Sequence, residues 1–434
     1  MDTIYALSSG GLPSGVAIIR ISGPRTREIL TATCGSLAEP RHAALVPFRN
    51  LGNGEELDRG LCLWFPGPAS FTGEDCGELH VHGSRAVVQA LFASLSGAGC
   101  RPAEAGEFTR RAFANGKLDL TEVEGLADLL AAETEMQRRQ AAQQASGALS
   151  RLCLAWRERL IGLRAEVEAR LDFSDEDDVG GETLPLGFVD ELRRLTDEVK
   201  RALAAGSTAE RIRNGVRVAL LGRPNVGKST LLNALAARDV AIVSEEAGTT
   251  RDVIEVPLDL RGYPVIVFDT AGIRETSSAV EQEGIARGRR VAANSDLVLW
   301  LVDGDDDDPA PELGEVPCWR LQTKGDLKAK TAPSDISISA ASGQGMSELL
   351  DRIEEFARSV SPPTNEAVFV RERQRRVLAD LSETLQLCVA GSQRSDEVLA
   401  HLLRQATDCI GRLTGRVDVE AVLDRLFMEF CIGK

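Results

Sequence analysis

The sequence lacks several features that would assign it to particular classes of protein. It has no uninterrupted apolar run of about 18 residues, the length a helix needs to cross a bilayer. Its first residues, Met1-Asp2-Thr3, have neither the positive charge nor the apolar run of a signal peptide. We therefore expect a cytoplasmic protein with no membrane-spanning segment.

Closely spaced cysteines are also absent. The two nearest of the nine cysteines, Cys62 and Cys76, are 14 positions apart. This spacing excludes a local CxxC pair of the zinc-binding or redox-active kind. Because scattered thiols stay reduced in the cytoplasm, we expect most of the cysteines to be small residues of the core.

An excess of positive charge is missing as well. The 434 residues include 50 lysines and arginines against 66 aspartates and glutamates, which gives a formal net charge of −16. Phosphate backbones repel such a chain, so tight autonomous binding to nucleic acid is disfavoured. The hydrophobic share of 43% and the charged share of 27% are those of a folded globular protein, and the length predicts about three domains.

Short apolar runs bounded by Gly or Pro occupy residues 1–117 and indicate strands of an α+β domain. Residues 15–21 and 61–65 are two such runs. Arg20 interrupts the first of them. A charge inside a strand needs a carboxylate or a ligand, although an arginine that faces water at a strand end is an equally good interpretation.

From residue 118 the hydrophobic period becomes that of an α-helix. Apolar residues recur at steps of three and four along one helix face at Leu149, Leu152, Trp156, Leu160, Leu163, Val167 and Leu171. The pattern returns near the carboxy terminus at Leu378, Leu381, Leu385, Cys388, Val398, Leu402, Ile410 and Leu413. We expect the two helical parts, residues 118–212 and 365–434, to pack on each other around an inserted α/β unit of residues 213–364. The acidic runs at 175–178 and 305–308 lack the spacing of metal ligands and are expected to be solvated loops.

A phosphate-binding motif begins the inserted unit. Gly222-Arg223-Pro224-Asn225-Val226-Gly227-Lys228-Ser229 matches GxxxxGK[ST], between an apolar run that predicts a strand and a segment that predicts a helix. The glycines let backbone N–H groups surround phosphates at the helix amino terminus. We expect Lys228 to neutralise the β- and γ-phosphates and Ser229 to bind Mg²⁺.

A second phosphate motif, Asp269-Thr270-Ala271-Gly272, follows the apolar run 265–268. Its carboxylate can hold Mg²⁺ through water, and its last N–H can reach a γ-phosphate. Between the two motifs lies Gly248-Thr249-Thr250-Arg251-Asp252, which is either a switch loop that closes over Mg²⁺ or a plain surface turn. Small signalling GTPases carry a water-orienting Gln where this chain has Ile273, so another group must orient the water.

The base is expected to be guanine. In Thr323-Lys324-Gly325-Asp326, the aspartate can accept two hydrogen bonds that adenine cannot donate, and the lysine stem can lie on the base. The usual pattern has Asn at position 323. Thr lacks the amide that would bond both the base and the phosphate loop, which predicts weaker guanine binding. Ser339-Ala340-Ala341 fits the last base-contacting loop, although a plain strand end is an equal interpretation.

The residues predicted to contact nucleotide are Asn225, Val226, Gly227, Lys228, Ser229, Thr230, Ser244, Glu245, Glu246, Ala247, Gly248, Thr249, Thr250, Asp269, Thr270, Ala271, Gly272, Thr323, Lys324, Asp326, Ser339 and Ala340. Ser229 and Thr250 are the predicted Mg²⁺ ligands among them. The predicted fold class is therefore α/β plus all-α, with a P-loop GTPase domain inserted into a helical domain.

Over nearly its full length the chain resembles the MnmE (TrmE) family of bacterial tRNA-modification GTPases. Four segments carry this resemblance in combination: Ser70-Phe71-Thr72-Gly73-Glu74-Asp75, Gly106-Glu107-Phe108-Thr109-Arg110-Arg111-Ala112-Phe113, Asn115-Gly116-Lys117-Leu118-Asp119-Leu120 and Cys431-Ile432-Gly433-Lys434. The resemblance implies an amino-terminal folate-binding domain that forms a homodimer. It also implies a flavoprotein partner (MnmG, or GidA) that carries FAD, and tRNA as a substrate that is bound weakly by this chain alone.

The resemblance also assigns roles to individual residues. Arg20, Glu78, Lys117 and Lys434 correspond to contacts of a tetrahydrofolate derivative, either 5-formyl or methylene. From the residues alone, Glu78 could equally be a solvated strand position, and a metal at His80 and His82 has no third ligand in sight. Potassium ligands correspond to Asn225, Ser244, Glu246 and Thr249, and the catalytic glutamate corresponds to Glu281.

Cys431 is a candidate catalytic residue of the modification reaction, since a thiol of lowered pKa near folate or uridine could act as a nucleophile. The alternative is one more buried cysteine. For the whole chain the resemblance implies addition of an aminomethyl-type group to carbon 5 of the wobble uridine of tRNA. The alternative function is a guanine-nucleotide-controlled ribosome-assembly or binding factor, whose phosphate motifs are nearly the same.

Overall fold

A computed structural model describes residues 2–37, 39–172, 184–242, 255–269, 295–303, 313–327, 336–362, 369–391, 395–417, 420–428, 430 and 432–433. The chain forms two compact units. Unit 1 comprises Met1–Ala127, Gln144–Arg164 and Arg404–Lys434, and unit 2 comprises Asp128–Gln143 and Ala165–Leu403.

The described strands are β1 (Ile4–Leu7), β2 (Ser14–Ser22), β3 (Ala44–Arg49), β4 (Glu56–Phe65), β5 (Cys76–Gly83), β6 (Arg101–Pro102), β7 (Val216–Gly222), β8 (Glu255–Leu260), β9 (Tyr263–Asp269), β10 (Leu297–Asp303), β11 (Cys318–Thr323) and β12 (Ile336–Ser337). The described helices are α1 (Thr26–Cys34), α2 (Arg85–Gly97), α3 (Glu107–Ala114), α4 (Leu120–Leu130), α5 (Glu135–Ala145), α6 (Ala148–Asp172), α7 (Phe188–Asn214), α8 (Lys228–Ala236), α9 (Met346–Val360), α10 (Glu372–Gly391), α11 (Asp396–Thr414) and α12 (Glu420–Met428).

A sheet with the strand order β3-β4-β5-β2-β1-β6 forms the centre of unit 1. Its neighbouring strands are antiparallel except for the parallel pair β1 and β6. Helices α1 and α2 pack on one face, where Ala17, Ile19 and Ile21 of β2 are fully buried. Because alternate side chains of a strand point to opposite faces, Arg20 lies on the face away from these helices. The strands predicted at 15–21 and 61–65 are confirmed.

The helices of unit 1 bring the carboxy-terminal segment to this sheet. Helices α3, α4 and α12 meet in an apolar cluster that includes Leu120, Phe427 and Phe430. Beyond it, Ile432 forms an antiparallel bridge with Ala105. The Ser8 hydroxyl, at the end of β1, donates to the Gly433 carbonyl at 2.8 Å. The last described residues of the chain therefore lie against the start of the amino-terminal domain.

The predicted helical periodicity is confirmed on α6 and α10. On α6, Leu149, Trp156, Leu160 and Val167 are all nearly fully buried, as are Leu378, Leu381, Leu385 and Cys388 on α10.

On α11 the predicted phase is wrong in its first turns. Val398 is 41% exposed and Leu402 is half-buried, whereas Leu399 and Leu403 are buried. The buried face runs from Leu399 at helical steps to Ile410 and Leu413, one residue out of phase with Val398 and Leu402, and one residue turns a helix by about 100°.

The sheet of unit 2 has the strand order β12-β11-β10-β7-β9-β8 and is parallel except for the edge strand β8. Helices α8 and α9 pack on it. Strand β11 ends at Thr323, the first residue of the guanine motif. Since parallel strands place their carboxyl ends along one edge, the ends of β7, β9, β10 and β11 lie side by side there.

One carboxylate connects the chain before and after the inserted sheet. Asp128 accepts hydrogen bonds from Arg213 at 2.9 Å and from Arg371 at 2.7 Å. Arg213 lies near the end of α7, just before β7, and Arg371 lies just before α10. Helices α7 and α10 also pack along each other. Unit 2 therefore holds its α/β sheet and these two helices together through apolar packing and a shared ion pair.

The described cysteines agree with the expectation that most of them are small residues of the core. Of the eight cysteines in the described residues, seven are buried and Cys318 is half-buried. Burial raises the pKa of the Cys388 thiol to about 12. Most of the described cysteines are therefore residues of the core.

Candidate nucleotide and amino-terminal sites

The phosphate loop joins the end of β7 to the start of α8. Its backbone enters the left-handed region at Gly222, Asn225 and Gly227, with φ of 152°, 63° and 107°. A Cβ at Gly222 would lie 2.6 Å from the carbonyl oxygen of Leu301 on the neighbouring strand. Glycine is therefore required at the position where the loop leaves the sheet.

Lys228 is held inside this loop. Its Nζ donates to the carbonyl oxygens of Gly222 at 2.8 Å and Arg223 at 2.9 Å. Burial lowers the pKa of Lys228, and the nearby charge of Asp269 opposes this change. An ammonium group that donates to neutral carbonyl oxygens keeps its positive charge available for an anionic ligand, which is the role expected of Lys228 beside phosphates.

Two of the predicted magnesium contacts lie together. The Ser229 hydroxyl donates to Oδ2 of Asp269 at 3.1 Å, and Asp269 is almost completely buried at the end of β9. Hydroxyl and carboxylate oxygens are the ligands that Mg²⁺ prefers. These two oxygen-bearing side chains are therefore suited to hold a magnesium ion beside phosphates.

The guanine motif follows β11 directly. Lys324 adopts a left-handed backbone conformation, with φ of 55°, and its Nζ lies 2.8 Å from Oδ2 of Asp303 at the end of β10. The N–H of Gly325 donates to the carbonyl of Ile338 at 2.9 Å, which joins this loop to the segment that contains Ser339. Asp326 is exposed and its carboxylate can accept from a base. These contacts bring the two predicted base loops together.

The expectation that Thr323 would lose the link to the phosphate loop is wrong. Its hydroxyl donates to the carbonyl oxygen of Val226 at 2.7 Å, and the side chain is buried. A hydroxyl is shorter than an amide, but β11 carries this residue close enough to the loop for the bond to form. The loss of a donor toward the base stays a prediction.

Several predicted residues lie outside the described residues. These are residues 243–254, with the switch loop and most potassium ligands, together with Thr270, Ala271, Gly272, Ile273, Glu281, Cys431, Lys434 and the two acidic runs.

A cluster of charged and aromatic side chains lies on the sheet face of unit 1 opposite α1 and α2. Strands β2 and β5 place Arg20 directly opposite Glu78, and the guanidinium donates to Oε1 of Glu78 at 2.9 Å and 3.2 Å. Nε2 of His80 lies 3.3 Å from the other carboxylate oxygen. The rings of Phe71 and Phe108 lie 5.7 Å and 5.8 Å from the guanidinium carbon. Glu78 is therefore a partly buried ion-pair partner rather than a solvated strand position.

Lys117, the third predicted folate contact, reaches the chain segment just before residues 70–75. Nζ of Lys117 donates to the Pro68 carbonyl at 3.1 Å. The side chain of Asn115 donates to the Thr72 carbonyl at 2.7 Å, and a Cβ at Gly73 would lie 2.9 Å from the Cβ of Asn115. Two segments that are distant in sequence, 70–75 and 115–117, are therefore in direct contact.

Arg111 is a residue whose role the sequence did not indicate. It is buried in unit 1 and donates to Glu74 at 3.0 Å, Glu107 at 2.9 Å and Asp2 at 3.0 Å. Glu74 also accepts from the Ser22 hydroxyl at 3.0 Å. Arg111 thus fixes the loop of residues 70–75 that carries Phe71. In the sequence, the only indication of its role was its place in the segment 106–113, one of the four that carry the family resemblance.

The histidines of β5 do not form a metal centre with other described residues. Nδ1 of His82 lies 2.8 Å from Oδ1 of Asp58, while His80 contacts Glu78. Within the described ranges, no group of three or more potential metal-ligating side chains was found. Those ranges likewise contain no helix with the length and apolarity to span a membrane.

The strand–loop–helix phosphate site, the buried Asp269 and the guanine motif together define a P-loop GTPase. Two family models match around it: "GTP-binding protein TrmE N-terminus" over residues 3–117 and "MnmE helical domain" over residues 120–431. The chain belongs to the MnmE family, and it is a GTP hydrolase with an α/β plus all-α fold.

Full-length relatives agree with this assignment. The protein named tRNA modification GTPase MnmE from Brucella abortus (strain 2308) is 51% identical over 436 residues, which cover 100% of this chain and 98% of that protein. The protein of the same name from Brucella anthropi is 50% identical over 437 residues, with the same coverage of 100% and 98%. Among solved structures, the G domain of the T. maritima FeoB iron transporter is 27% identical over 33% of this chain and 98% of its own, with a TM-score of 0.25.

Proposed function

We propose that this GTPase modifies tRNA, adding an aminomethyl or carboxymethylaminomethyl group to carbon 5 of the wobble uridine together with a flavoprotein of the MnmG (GidA) kind. The observation that carries the proposal is that the chain combines a nucleotide site with a separate cluster of charged and aromatic side chains. Unit 2 has the nucleotide site, and unit 1 has an independent cluster of Arg20, Glu78 and His80 beside exposed Phe71. A GTPase that only switched between two states would need no second site for a small molecule.

The second site is proposed to bind a tetrahydrofolate derivative, either 5-formyl or methylene, through Arg20, Glu78, Lys117 and Lys434. A folate has a glutamate tail with carboxylates, an aromatic centre and a pterin edge with donors and acceptors. Cations, a carboxylate and an aromatic side chain are complementary to these groups. The bound folate would supply the one-carbon unit, and the protein side chains would bind and orient it.

We assign Cys431 to the modification reaction rather than to GTP hydrolysis. Its neighbours Phe430 and Ile432 lie against α12 and Ala105, both in unit 1. The next residue, Gly433, accepts the hydrogen bond from Ser8. The described residues on both sides of Cys431 therefore contact other residues of unit 1. A thiolate there would be the nucleophile that the nucleotide site, complete in its own domain, does not need.

For GTP hydrolysis we propose Mg²⁺ on Ser229 and Thr250, with K⁺ on Asn225, Ser244, Glu246 and Thr249. The left-handed backbone of Asn225, with φ of 63°, turns the phosphate loop sharply at the residue assigned to K⁺. K⁺ beside the phosphates would supply positive charge of the kind that an arginine supplies in other GTPases. Glu281 is assigned to orient the attacking water in place of the missing Gln.

The proposal has two further parts. The protein forms a homodimer through its amino-terminal domain, and it works in the cytoplasm with tRNA and the flavoprotein. The open sheet face of unit 1 carries exposed apolar side chains, with Leu45 69% and Leu61 39% exposed at paired positions of β3 and β4. Such a face favours an association that covers it. The net charge of −16 supports weak tRNA binding by this chain alone and a need for the partner.

The proposal is tested in a strain that lacks this protein. Wobble uridines of its tRNA, measured by mass spectrometry of nucleosides, should be unmodified, and the wild-type chain should restore the modification. The Cys431→Ser variant should fail to restore it while keeping its K⁺-stimulated GTPase rate and melting temperature. Normal tRNA together with defective ribosomal particles would overturn the proposal in favour of an assembly factor.

A further inference from the structure

We infer that Thr72 is a positioning residue that places the ring of Phe71 in the charged and aromatic cluster of unit 1. Its hydroxyl lies in the middle of a hydrogen-bond chain that joins the loop of residues 70–75 to strands β2 and β5. The inference rests on the proposed binding of a folate at this cluster, because it concerns the aromatic side chain that such a ligand would meet.

Thr72 and its neighbour Phe71 have opposite environments. Thr72 is completely buried, whereas Phe71 is 40% exposed and its ring lies 5.7 Å from the guanidinium carbon of Arg20. The two residues share one planar peptide bond. Fixing the side chain of Thr72 therefore restricts the places that the exposed ring can occupy.

Strand register brings the bonds of Thr72 next to the charged pair. Ser22 on β2 and Cys76 on β5 are directly opposite each other. Two residues away in the same pairing, Arg20 is opposite Glu78. Side chains two positions apart on a strand point to the same face of the sheet. The Thr72 hydroxyl lies 2.8 Å from Oγ of Ser22 and 3.1 Å from Sγ of Cys76, so it is attached beside the charged pair and on its face.

Proton counting gives the hydrogen-bond chain a direction. A carboxylate only accepts, so the Ser22 hydroxyl donates its one proton to Oε2 of Glu74 at 3.0 Å. The bond between Ser22 and Thr72 then uses the proton of Thr72, and the Cys76 thiol donates to Thr72. The other acceptor near this thiol, Oγ of Ser22, is farther away at 3.5 Å. Protons are therefore donated in the order Cys76, Thr72, Ser22, Glu74.

The chain ends on an ion pair, because Glu74 also accepts from Arg111 at 3.0 Å. Hydrogen bonds in a row strengthen one another, so a break in the middle affects the whole chain. Thr72→Val nearly keeps the shape of the side chain but removes its donor and its acceptors, which detaches the loop from both strands. Thr72→Ser keeps the hydroxyl and should keep the chain.

Releasing the loop should weaken ligand binding, because a ring that is not held beforehand must be ordered when the ligand binds. We expect Thr72→Val to bind 5-formyl-tetrahydrofolate roughly fivefold more weakly than the wild type. Thr72→Ser should bind within about twofold of it. Phe71→Ala, which removes the ring itself, should bind roughly tenfold more weakly.

The experiment is a double-mutant cycle. Isothermal calorimetry measures the dissociation constant of 5-formyl-tetrahydrofolate for the wild type, Phe71→Ala, Thr72→Val and the double variant. If Thr72 acts by placing the ring, Thr72→Val should change the affinity by less than about twofold in the Phe71→Ala background. The matched control is Thr33→Val on α1. Thr33 is also buried in unit 1, but its hydroxyl has no hydrogen-bond partner among the described residues, so the affinity should not change.

The outcomes separate this inference from the proposed function. If the wild type does not bind 5-formyl-tetrahydrofolate, the proposed ligand and this inference are both wrong. If the wild type binds it and Thr72→Val weakens binding equally in both backgrounds, Thr72 does not act through Phe71, and only this inference fails. Unchanged affinity in Thr72→Val also overturns only the inference.

Should Thr72→Val fold poorly, Ser22→Ala breaks the same chain from the strand side. Its loss of affinity should likewise disappear in the Phe71→Ala background. A loss that persists there would overturn the inference.

Discussion

The nucleotide site of unit 2 and the charged cluster of unit 1 hold their cations differently. Lys228 bonds to the carbonyl oxygens of Gly222 and Arg223, whereas Arg20 bonds to the carboxylate of Glu78. The neutral carbonyl oxygens do not cancel the lysine charge, which is opposed only at longer range by Asp269, while the directly bonded carboxylate cancels much of the arginine charge. The first site is suited to a polyphosphate, and the second to a ligand that presents donors as well as acidic groups.

The two sites also differ in how the chain assembles them. The phosphate site is one continuous turn between β7 and α8, so its geometry is nearly complete within eight residues. The unit 1 cluster exists only because β2 pairs with β5 in the register that places Arg20 opposite Glu78. The first site should therefore depend mainly on single side chains, and the second on the pairing of strands.

The largest effect is expected from Lys228→Ala. Removing this cation should weaken GTP binding roughly 30-fold or more, because a buried charged contact of this kind contributes about 2–5 kcal/mol. Titration with a fluorescent GTP analogue and a steady-state GTPase assay would measure this loss.

The matched control is Lys200→Ala on the exposed face of α7, which removes the same charge far from the phosphate loop in sequence. It should bind GTP as the wild type does. Nucleotide binding that survives in Lys228→Ala would mean that the carbonyl-held ammonium is structural, and the contrast between the two sites would disappear.

A smaller effect is expected from Arg20→Gln and Glu78→Gln, each of which breaks the ion pair of unit 1. If the cluster binds folate, each variant should lower the affinity for 5-formyl-tetrahydrofolate by roughly tenfold, since hydrogen bonds to charged groups contribute about 1.5–3 kcal/mol. Isothermal calorimetry measures the affinity, and the GTPase rate is the parallel measurement that should not change.

Arg49→Gln, an exposed arginine at the end of β3, is the control in the same sheet. If the two cluster variants lose thermal stability but keep folate affinity once folded, the ion pair serves only to join β2 to β5.

The difference between a site formed within one segment and a site formed by strand pairing explains what the sequence could predict. The phosphate loop, the strand before it and the helix after it are local, so the spacing of glycines and the Lys-Ser pair predicted them correctly. The buried apolar faces of α6 and α10 could be predicted equally well, because a helical period is visible within one segment of sequence. On α11 the periodicity predicted that Val398 would be buried. Neighbouring apolar residues make two helical phases nearly equal there, and packing buries Leu399 instead.

Contacts between distant segments were beyond the reach of the sequence pattern. The charge of Arg20 was visible, but its partner depends on strand register. The bond from Thr323 to Val226 depends on β11 and β7 being separated by only one strand, β10. Arg111 could not be told from its neighbour Arg110 by composition, although only Arg111 is buried. Tertiary placement, rather than residue type, decided these roles.

The smallest effect is expected from lowering the pH, which should weaken the ionic contacts of Asp2 in unit 1. The side-chain hydrogen bond from Arg101 lowers the pKa of Asp2 from 3.8 to about 2. A carboxylate whose pKa is lower in the folded state contributes stability above its unfolded pKa, and this contribution is lost as the pH falls through the folded pKa. The contribution of Asp2 should therefore be complete at pH 7 and should decline between about pH 4 and pH 2.

Asp2→Asn tests this directly. At pH 7 the variant should melt about 1–3 °C below the wild type, because a half-exposed ion pair contributes less than about 1 kcal/mol. Toward pH 2 the difference between the two melting temperatures should shrink, since about half of the wild-type Asp2 carboxyl groups are then protonated in the folded state and resemble the amide. The control Glu55→Gln, at an exposed position before β4, should show no difference at either pH. A melting difference that stays constant from pH 7 to pH 2 would show that Asp2 acts through neutral hydrogen bonds, and the ionic description of the contacts among Asp2, Arg101 and Arg111 would then be wrong.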